Sequence, residues 1–483
     1  MIDSEVFRAS RSLAREKLAP EEAANSFGYW IDIPNDWESY QSPEELVKFL
    51  GIHLTHHDKF NEIIEDIGPL SRRELRWVHR YVELIDRIAR MLSTTGFRVD
   101  LKNDIAETIV DWRVIERFSR QPCRILDYGA GCGRQAASAF LRNPDNIYVA
   151  VDSTLAAYTL QNLVMSYTDT LCDRANFFDL LDFEKASRAF VDISNACQGD
   201  RFHVPAWMAI DHLPKDFFDV IIAAHVHCEL SSADFMRLVN VVEKSLSRNG
   251  VFYVRSELTW GDTRDFCDST DLHGISLVDE MLNRRIHPVW CAYTSGFLTT
   301  VFARKDSRYW HETRESADPD CRFLDITSSQ ELSRRAGQNH LHRCARELEA
   351  ANPPTLMIRS GNEYDQMFVD PLIERKQLSC LKTMKDVDLL GGGAAAALKQ
   401  IAAFNPQAVV IASQQYPAIE AIIARELPGL NLPIRRYYWY PVVFLYSSSI
   451  KGADKIFDSE IMSIEDVRIS ATQDAREALS ERG

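Results

Sequence analysis

Between Glu74 and Leu92 the apolar residues Trp77, Val78, Tyr81, Val82, Leu84, Ile85, Ile88 and Ala89 return every three to four positions, with charged residues between them. That spacing predicts an amphipathic helix, and no glycine or proline interrupts it. Residues 1–120 read mainly as helix. Such a preface suits a lid, a dimer surface or plain packing. From 121 the rhythm changes to short apolar runs separated by helical stretches, the pattern of a parallel α/β sheet. The strands expected are Arg124–Asp127, Ile147–Asp152, Phe202–Trp207, Asp219–Val226 and Gly250–Arg255. Helices are expected at Leu155–Ser166, Ala233–Leu246 and around Ile275–Arg285. His287–Thr294 and Phe297–Arg304 are two β-rich runs across Ser295-Gly296, which implies an antiparallel hairpin.

Residues 306–350 turn polar, with a helical pattern near Ser329–Glu349. A second α/β unit follows over 351–450. Its expected buried strands are Thr355–Ile358 and Ala408–Ala412, with a glycine turn at Gly391–Gly393, a helix at Tyr416–Leu427 and a β-rich stretch at Arg435–Ser447. The charged stretch 451–483 reads as a peripheral helix or tail. The division expected is therefore a helical region (1–120), a first α/β domain (121–305), a helical linker (306–350), a second, smaller Rossmann-like domain (351–450) and a tail.

A chain of 483 residues is too long for one hydrophobic core. Seventy acidic residues against 55 basic ones leave a net charge of −15, which argues against a nucleic-acid backbone as partner. No apolar run is long enough to span a membrane and no secretory signal is visible, so a cytoplasmic location is expected. The ten cysteines are scattered, with no C-x-x-C pair, so neither a zinc ribbon nor a disulfide framework is expected.

The most informative segment is Arg124-Ile-Leu-Asp-Tyr-Gly-Ala-Gly-Cys-Gly-Arg134. An apolar strand ends in Asp127, Gly129, Gly131 and Gly133 alternate, and a helix-compatible stretch follows. Glycines at a strand-to-helix turn let the backbone approach a ligand closely, and the helix start offers free N–H groups. Dinucleotide sites use G-x-G-x-x-G; the spacing here is D-x-G-x-G-x-G. Asp152 ends the second strand, 19 residues after Gly133. A carboxylate there can accept hydrogen bonds from two ribose hydroxyls, or it can cap the following helix. Trp207 and Met208 follow the third strand, where they can wall an adenine or simply fill the core.

Ligands of open α/β sheets bind at the carboxyl ends of strands, which draws attention to His225-Val-His-Cys-Glu-Leu230 after the fourth. In an extended segment His225, His227 and Glu229 point the same way. They can serve as a general base for a hydroxyl, as a facial metal set, or as structural groups. His227 is the first choice as base, with Glu229 orienting it or gripping the acceptor. No metal is expected.

The glycine segment resembles motif I of class I S-adenosylmethionine (SAM) methyltransferases. Phe217-Phe-Asp-Val-Ile-Ile-Ala-Ala resembles their fourth motif. From about 105 to 305 the chain is similar to bacterial sugar O-methyltransferases. The similarity is carried by Val110-Asp-Trp-Arg-Val-Ile-Glu116, the glycine segment, Tyr148-Val-Ala-Val-Asp-Ser153 with Tyr158 and Gln161, His227-Cys-Glu-Leu230, Asp271-Leu-His-Gly-Ile-Ser-Leu-Val-Asp279 and Leu298-Thr-Thr-Val-Phe-Ala303.

The resemblance implies a Rossmann-like parallel sheet ending in an antiparallel hairpin. It implies SAM held by Asp127, Gly129, Gly131, Gly133 and Asp152, with Glu229 in the acceptor pocket. His273, in the Asp-Leu-His-Gly block, is a second candidate base. The function implied is methyl transfer to a hydroxyl of a sugar or related small metabolite. Transfer to carbon or nitrogen, or a SAM-binding scaffold without turnover, are the alternatives. The expected partners are a small-molecule acceptor and, through the helical preface, a second copy of the chain. The unit at 351–450 is similar to modules that follow the catalytic domain in some deoxysugar C-methyltransferases, where a substrate-holding or dimerising role is expected.

Overall fold

The computed structural model describes residues 70–92, 101–169, 176–181, 192–226, 230, 232–256, 276–294, 297–315, 326–328, 354–361, 381–413, 415–430, 434–439 and 442–447, with single positions between 9 and 50 and between 331 and 339. Helices α1 (Arg72–Leu92) and α2 (Lys102–Phe118) precede the first strand. The sheet then alternates with helices. The order is β1 (Arg124–Tyr128), α3 (Arg134–Arg142), β2 (Ile147–Asp152), α4 (Leu155–Asp169), β3 (Phe177–Asp179), β4 (Arg201–Pro205), α5 (Ala206–His212), β5 (Phe218–Ala224), α6 (Ser232–Ser245), β6 (Leu246–Ser256) and α7 (Leu277–Asn283). The hairpin β7 (Ile286–Thr294) and β8 (Phe297–Arg304) and the helix α8 (Arg308–Glu315) complete this part.

The eight strands lie in the order β3-β4-β2-β1-β5-β6-β8-β7. Strands β1 to β6 pair in parallel, and β8 inserts antiparallel between β6 and β7. Alternate residues of each strand feed opposite faces, the period-two rule of a pleated strand. Leu126, Val149, Val151, Ile221 and Phe252 join one core with α5, α6 and α7. Ile125, Tyr148, Ala150, Ile222 and Tyr253 join the other with α1, α2, α3 and α8. Both faces being covered explains why these strands read as continuous apolar runs.

The hairpin lies where the pattern predicts it. Its outer strand, β7, carries Pro288 beside a register irregularity, and a residue that cannot donate to the ladder is tolerated at an edge. The third strand is shorter than expected. It ends at Pro205, and Ala206-Trp-Met-Ala starts α5 with Trp207 and Met208 turned into the core. The sequence pattern misses β3, a half-exposed edge strand of three residues.

The second unit holds β9 (Thr355–Arg359), β10 (Leu381–Lys385), α9 (Asp386–Leu390), α10 (Ala394–Phe404), β11 (Ala408–Ala412) and α11 (Tyr416–Glu426). Its strands are parallel in the order β10-β9-β11. An antiparallel pair, β12 (Ile434–Trp439) and β13 (Val442–Ser447), follows. The edge strand β10, Leu-Lys-Thr-Met-Lys, carries too much charge to read as a buried run. Among the described residues no helix is long and apolar enough to cross a membrane.

Candidate active site at the carboxyl edge of the sheet

The loop after β1 is left-handed at each of its glycines, with φ of 74° at Gly129, 53° at Gly131 and 81° at Gly133. Two of these positions have different reasons to be glycine. A β-carbon on Gly129 would lie 2.0 Å from Val226 Cγ2, so close packing of the β1 and β5 ends excludes any side chain. A β-carbon on Gly131 would meet nothing within 4 Å among the described residues. Among the described residues the crest of the loop therefore faces open space, where a ligand can lie against the backbone.

Asp152 fixes this crest. Its Oδ2 accepts from Gly131 N–H at 2.9 Å and from Gln161 Nε2 at 2.8 Å, while its Oδ1 accepts from Ser153 N–H at 2.7 Å and Thr154 N–H at 3.1 Å. A carboxylate offers about four acceptor positions, and protein donors fill them. Asp152 therefore braces the turn at Ser153 and Thr154, just before α4 begins at Leu155, and ties that turn to the glycine loop. Gln161 Nε2 also donates to Gly131 O at 2.7 Å, and Gln161 Oε1 lies 3.0 Å from His203 Nε2.

Asp127, only 2% exposed, accepts from Tyr148 Oη at 2.5 Å. Burial lifts its carboxyl to about 7, against the lowering effect of that bond. Trp207 and Met208 are buried at the start of α5.

The extended geometry expected for His225–Glu229 breaks at its first residue. Strand β5 ends at Ala224, and His225 turns left-handed with φ 61°, so alternation of side chains does not carry through it. A non-glycine residue in that region is strained and persists only where its surroundings over-determine it. Here its N–H donates to Arg255 O at 2.8 Å and its Nε2 lies 3.6 Å from Glu107 Oε2. Both ring nitrogens are buried. His227, Glu229 and His273 lie outside the described residues.

Around His225 stands a buried charge cluster that the sequence reading passed over. Asp104, Glu107 and Asp111 lie on one face of α2. Arg134, directly after the last glycine, approaches all three, at 3.5, 3.2 and 3.3 Å. Arg255 of β6 is fully buried, 2.9 Å from Asp111 and 3.8 Å from Glu107. Tyr253 Oη donates to Asp111, and Tyr81 Oη of α1 donates to Asp104. Burial would raise the Glu107 carboxyl, but Arg255, His225 and Arg134 hold it well below the usual carboxylate range. Asp104 goes the other way and is pushed by burial to about 7.

A signal for the cluster was present: acids at 104, 107 and 111 follow the three-to-four spacing that places them together on one face of a helix. Among the described residues no group of three His, Cys, Asp or Glu side chains comes together to hold a metal.

A central run of parallel strands, a left-handed glycine loop after the first, and an antiparallel strand slotted between the last parallel strand and the edge decide the architecture. The chain has the class I methyltransferase fold. No family model and no curated protein matches it. Among solved structures it is similar to a TehB-like SAM-dependent methyltransferase from Corynebacterium glutamicum, at 16% identity over 47% of this chain and 99% of that one, with a TM-score of 0.27. It is similar to the 1,6-didemethyltoxoflavin-N1-methyltransferase of Burkholderia thailandensis, at 15% identity over 49% and 92%, with a TM-score of 0.27. A SAM-dependent methyltransferase from Aquifex aeolicus is 11% identical over 40% and 88%, with a TM-score of 0.27. Likenesses this low add nothing about substrate or activity, and the fold rests on the sheet order itself.

Proposed function

We propose that this protein transfers a methyl group from SAM to a hydroxyl oxygen of a sugar or a related small metabolite. The observation that carries the reading is the glycine loop at the carboxyl edge of the sheet, left-handed at each of its three glycines and, among the described residues, open above Gly131. The residues fit a cofactor lying on backbone: the crest has room where a β-carbon would stand, and Asp152 and Gln161 brace it from below. Gly129, Gly131 and Gly133 would hold SAM through their backbone, while Asp152, whose acceptor positions are already filled, and the buried Asp127, Trp207 and Met208 would act by supporting that loop. When bound, SAM supplies an electrophilic methyl group on a sulfonium.

The chain's own task is to place the acceptor oxygen in line with that methyl group and to take the hydroxyl proton. His227 is the proposed base and Glu229 grips the acceptor, with His273 as the second candidate. His225 is given an anchoring part instead, because its ring nitrogens are buried and its Nε2 faces Glu107. Residues 121–305 form the catalytic domain in this reading. The helical preface offers a dimer surface, and the unit at 351–450 holds the acceptor or a partner.

The test is mass spectrometry of a panel of sugars and glycosylated metabolites incubated with methyl-labelled SAM. His227→Ala should keep SAM binding and lose turnover. Label found only on carbon or nitrogen would replace the oxygen assignment. Binding of SAM with no transfer to any acceptor would replace the enzyme with a scaffold.

A further inference from the structure

We infer that Gln161, locked by His203, is a positioning residue that sets the glycine loop for its ligand. The inference rests on the reading of that loop as the SAM site. Gln161 is fully buried on α4, and its amide makes three contacts with three different elements. Its Nε2 donates to Gly131 O at 2.7 Å and to Asp152 Oδ2 at 2.8 Å, and its Oε1 meets His203 Nε2 at 3.0 Å. Gly131 N–H donates to the same Asp152 oxygen at 2.9 Å. The carbonyl and the N–H of Gly131 are thus both held, which fixes the two peptide planes on either side of the crest.

An amide can flip end for end, and only its partners decide the orientation. Gly131 O and the Asp152 carboxylate are both acceptors, so Nε2 must face them and Oε1 must face His203. His203 must then carry its proton on Nε2. Burial holds the imidazole pKa well below its ordinary value, which keeps the ring neutral and Nδ1 without a proton. That nitrogen is buried and has no hydrogen-bond partner among the described residues. The ring stacks on Tyr158, with centroids 3.4 Å apart, which holds its plane in line with the Gln161 amide.

A phenyl ring would fill the same stack without burying an unpaired acceptor, so packing alone gives no reason for an imidazole here. What the imidazole supplies is a single donor that orients Gln161. The ligand-facing consequence is two steps away: His203 orients Gln161, and Gln161 orients the crest at Gly131.

The experiment is calorimetric titration of SAM into wild type, Gln161→Met, His203→Phe and the double variant, with thermal unfolding of each. Gln161→Met should weaken SAM binding tenfold or more. His203→Phe, which keeps the stack and removes the donor, should weaken it at least threefold. The double variant should bind no more weakly than Gln161→Met, because His203 acts only through Gln161. Unchanged SAM affinity in either folded single variant, whatever the thermal shift, would overturn the inference. So would additive losses in the double variant. If Gln161→Met does not fold, His203→Phe decides alone. Wild type that fails to bind SAM would sink the cofactor reading itself, and the inference with it, which is a separate outcome from variants binding as well as wild type.

Discussion

Val226 occupies the volume that a β-carbon on Gly129 would need, with its Cγ2 only 2.0 Å from that position. The side chain of Val226, after β5, therefore packs directly on the backbone at Gly129, after β1. The glycine loop and the segment that begins at His225 are parts of one packed edge. Two residues further along the same loop the situation reverses, and a β-carbon on Gly131 would meet nothing within 4 Å among the described residues.

The two glycines should respond differently to alanine. Both replacements carry the strain of a left-handed non-glycine residue, about 1–2 kcal/mol. Gly129→Ala adds overpacking against Val226, typically about 1–3 kcal/mol more. Urea unfolding should show Gly129→Ala as clearly the less stable variant, while Gly131→Ala stays folded. Titration with SAM should then show that Gly131→Ala binds more weakly than wild type, since its methyl group enters the space assigned to the cofactor. Equal losses of stability in the two variants would contradict the packing argument.

Much of this edge was legible before the fold was known, because each of its parts has a local cause. The alternating glycines, the acid ending β2 and the hairpin at Ser295-Gly296 all announce themselves by residue type at fixed spacing. The cluster of Asp104, Glu107, Asp111, Arg134 and Arg255 does not. Arg255 is 144 residues from Asp111, and only the folded sheet brings them together. His225 shows the same limit. Its alternation with His227 follows from an extended chain, but the turn at φ 61° is set by the Arg255 carbonyl across the ladder. The edge strands β3 and β10 are missed for another reason: half-exposed strands need little apolar character and leave a weak pattern.

Arg255 and Asp111 are both fully buried and 2.9 Å apart. Removing one partner of such a pair leaves a charge without compensation, typically at a cost of about 3–5 kcal/mol. Arg255→Met should therefore be among the most damaging single changes in the sheet, measured by the guanidinium midpoint. Replacing both, as Asp111→Asn with Arg255→Met, should recover most of the loss, because an ion pair in the interior adds little beyond its own desolvation. A double variant as unstable as Arg255→Met would show that the cluster does more than satisfy its own charges.

Asp127 gives stability a pH dependence whose direction can be worked out. Its carboxyl is raised to about 7 in the folded chain by burial, against about 3.9 for an aspartate in an unfolded one. Between those values the folded state binds the extra proton, so the contribution is fully present below pH 4 and is lost as pH rises through 7. The full difference corresponds to at most about 4 kcal/mol, at about 1.4 kcal/mol for each pH unit. Asp127→Asn keeps an oxygen to accept the Tyr148 hydroxyl and removes the titration. Urea unfolding at pH 5 and pH 8 should show wild type losing more stability than the variant over that interval, with the variant equal or superior at pH 8. Some dependence should persist in the variant, because Asp104 is also raised to about 7. Parallel losses in the two proteins would mean that Asp127 is ionised in the fold at neutral pH, and that the Tyr148 hydroxyl stabilises its charge more than burial opposes it.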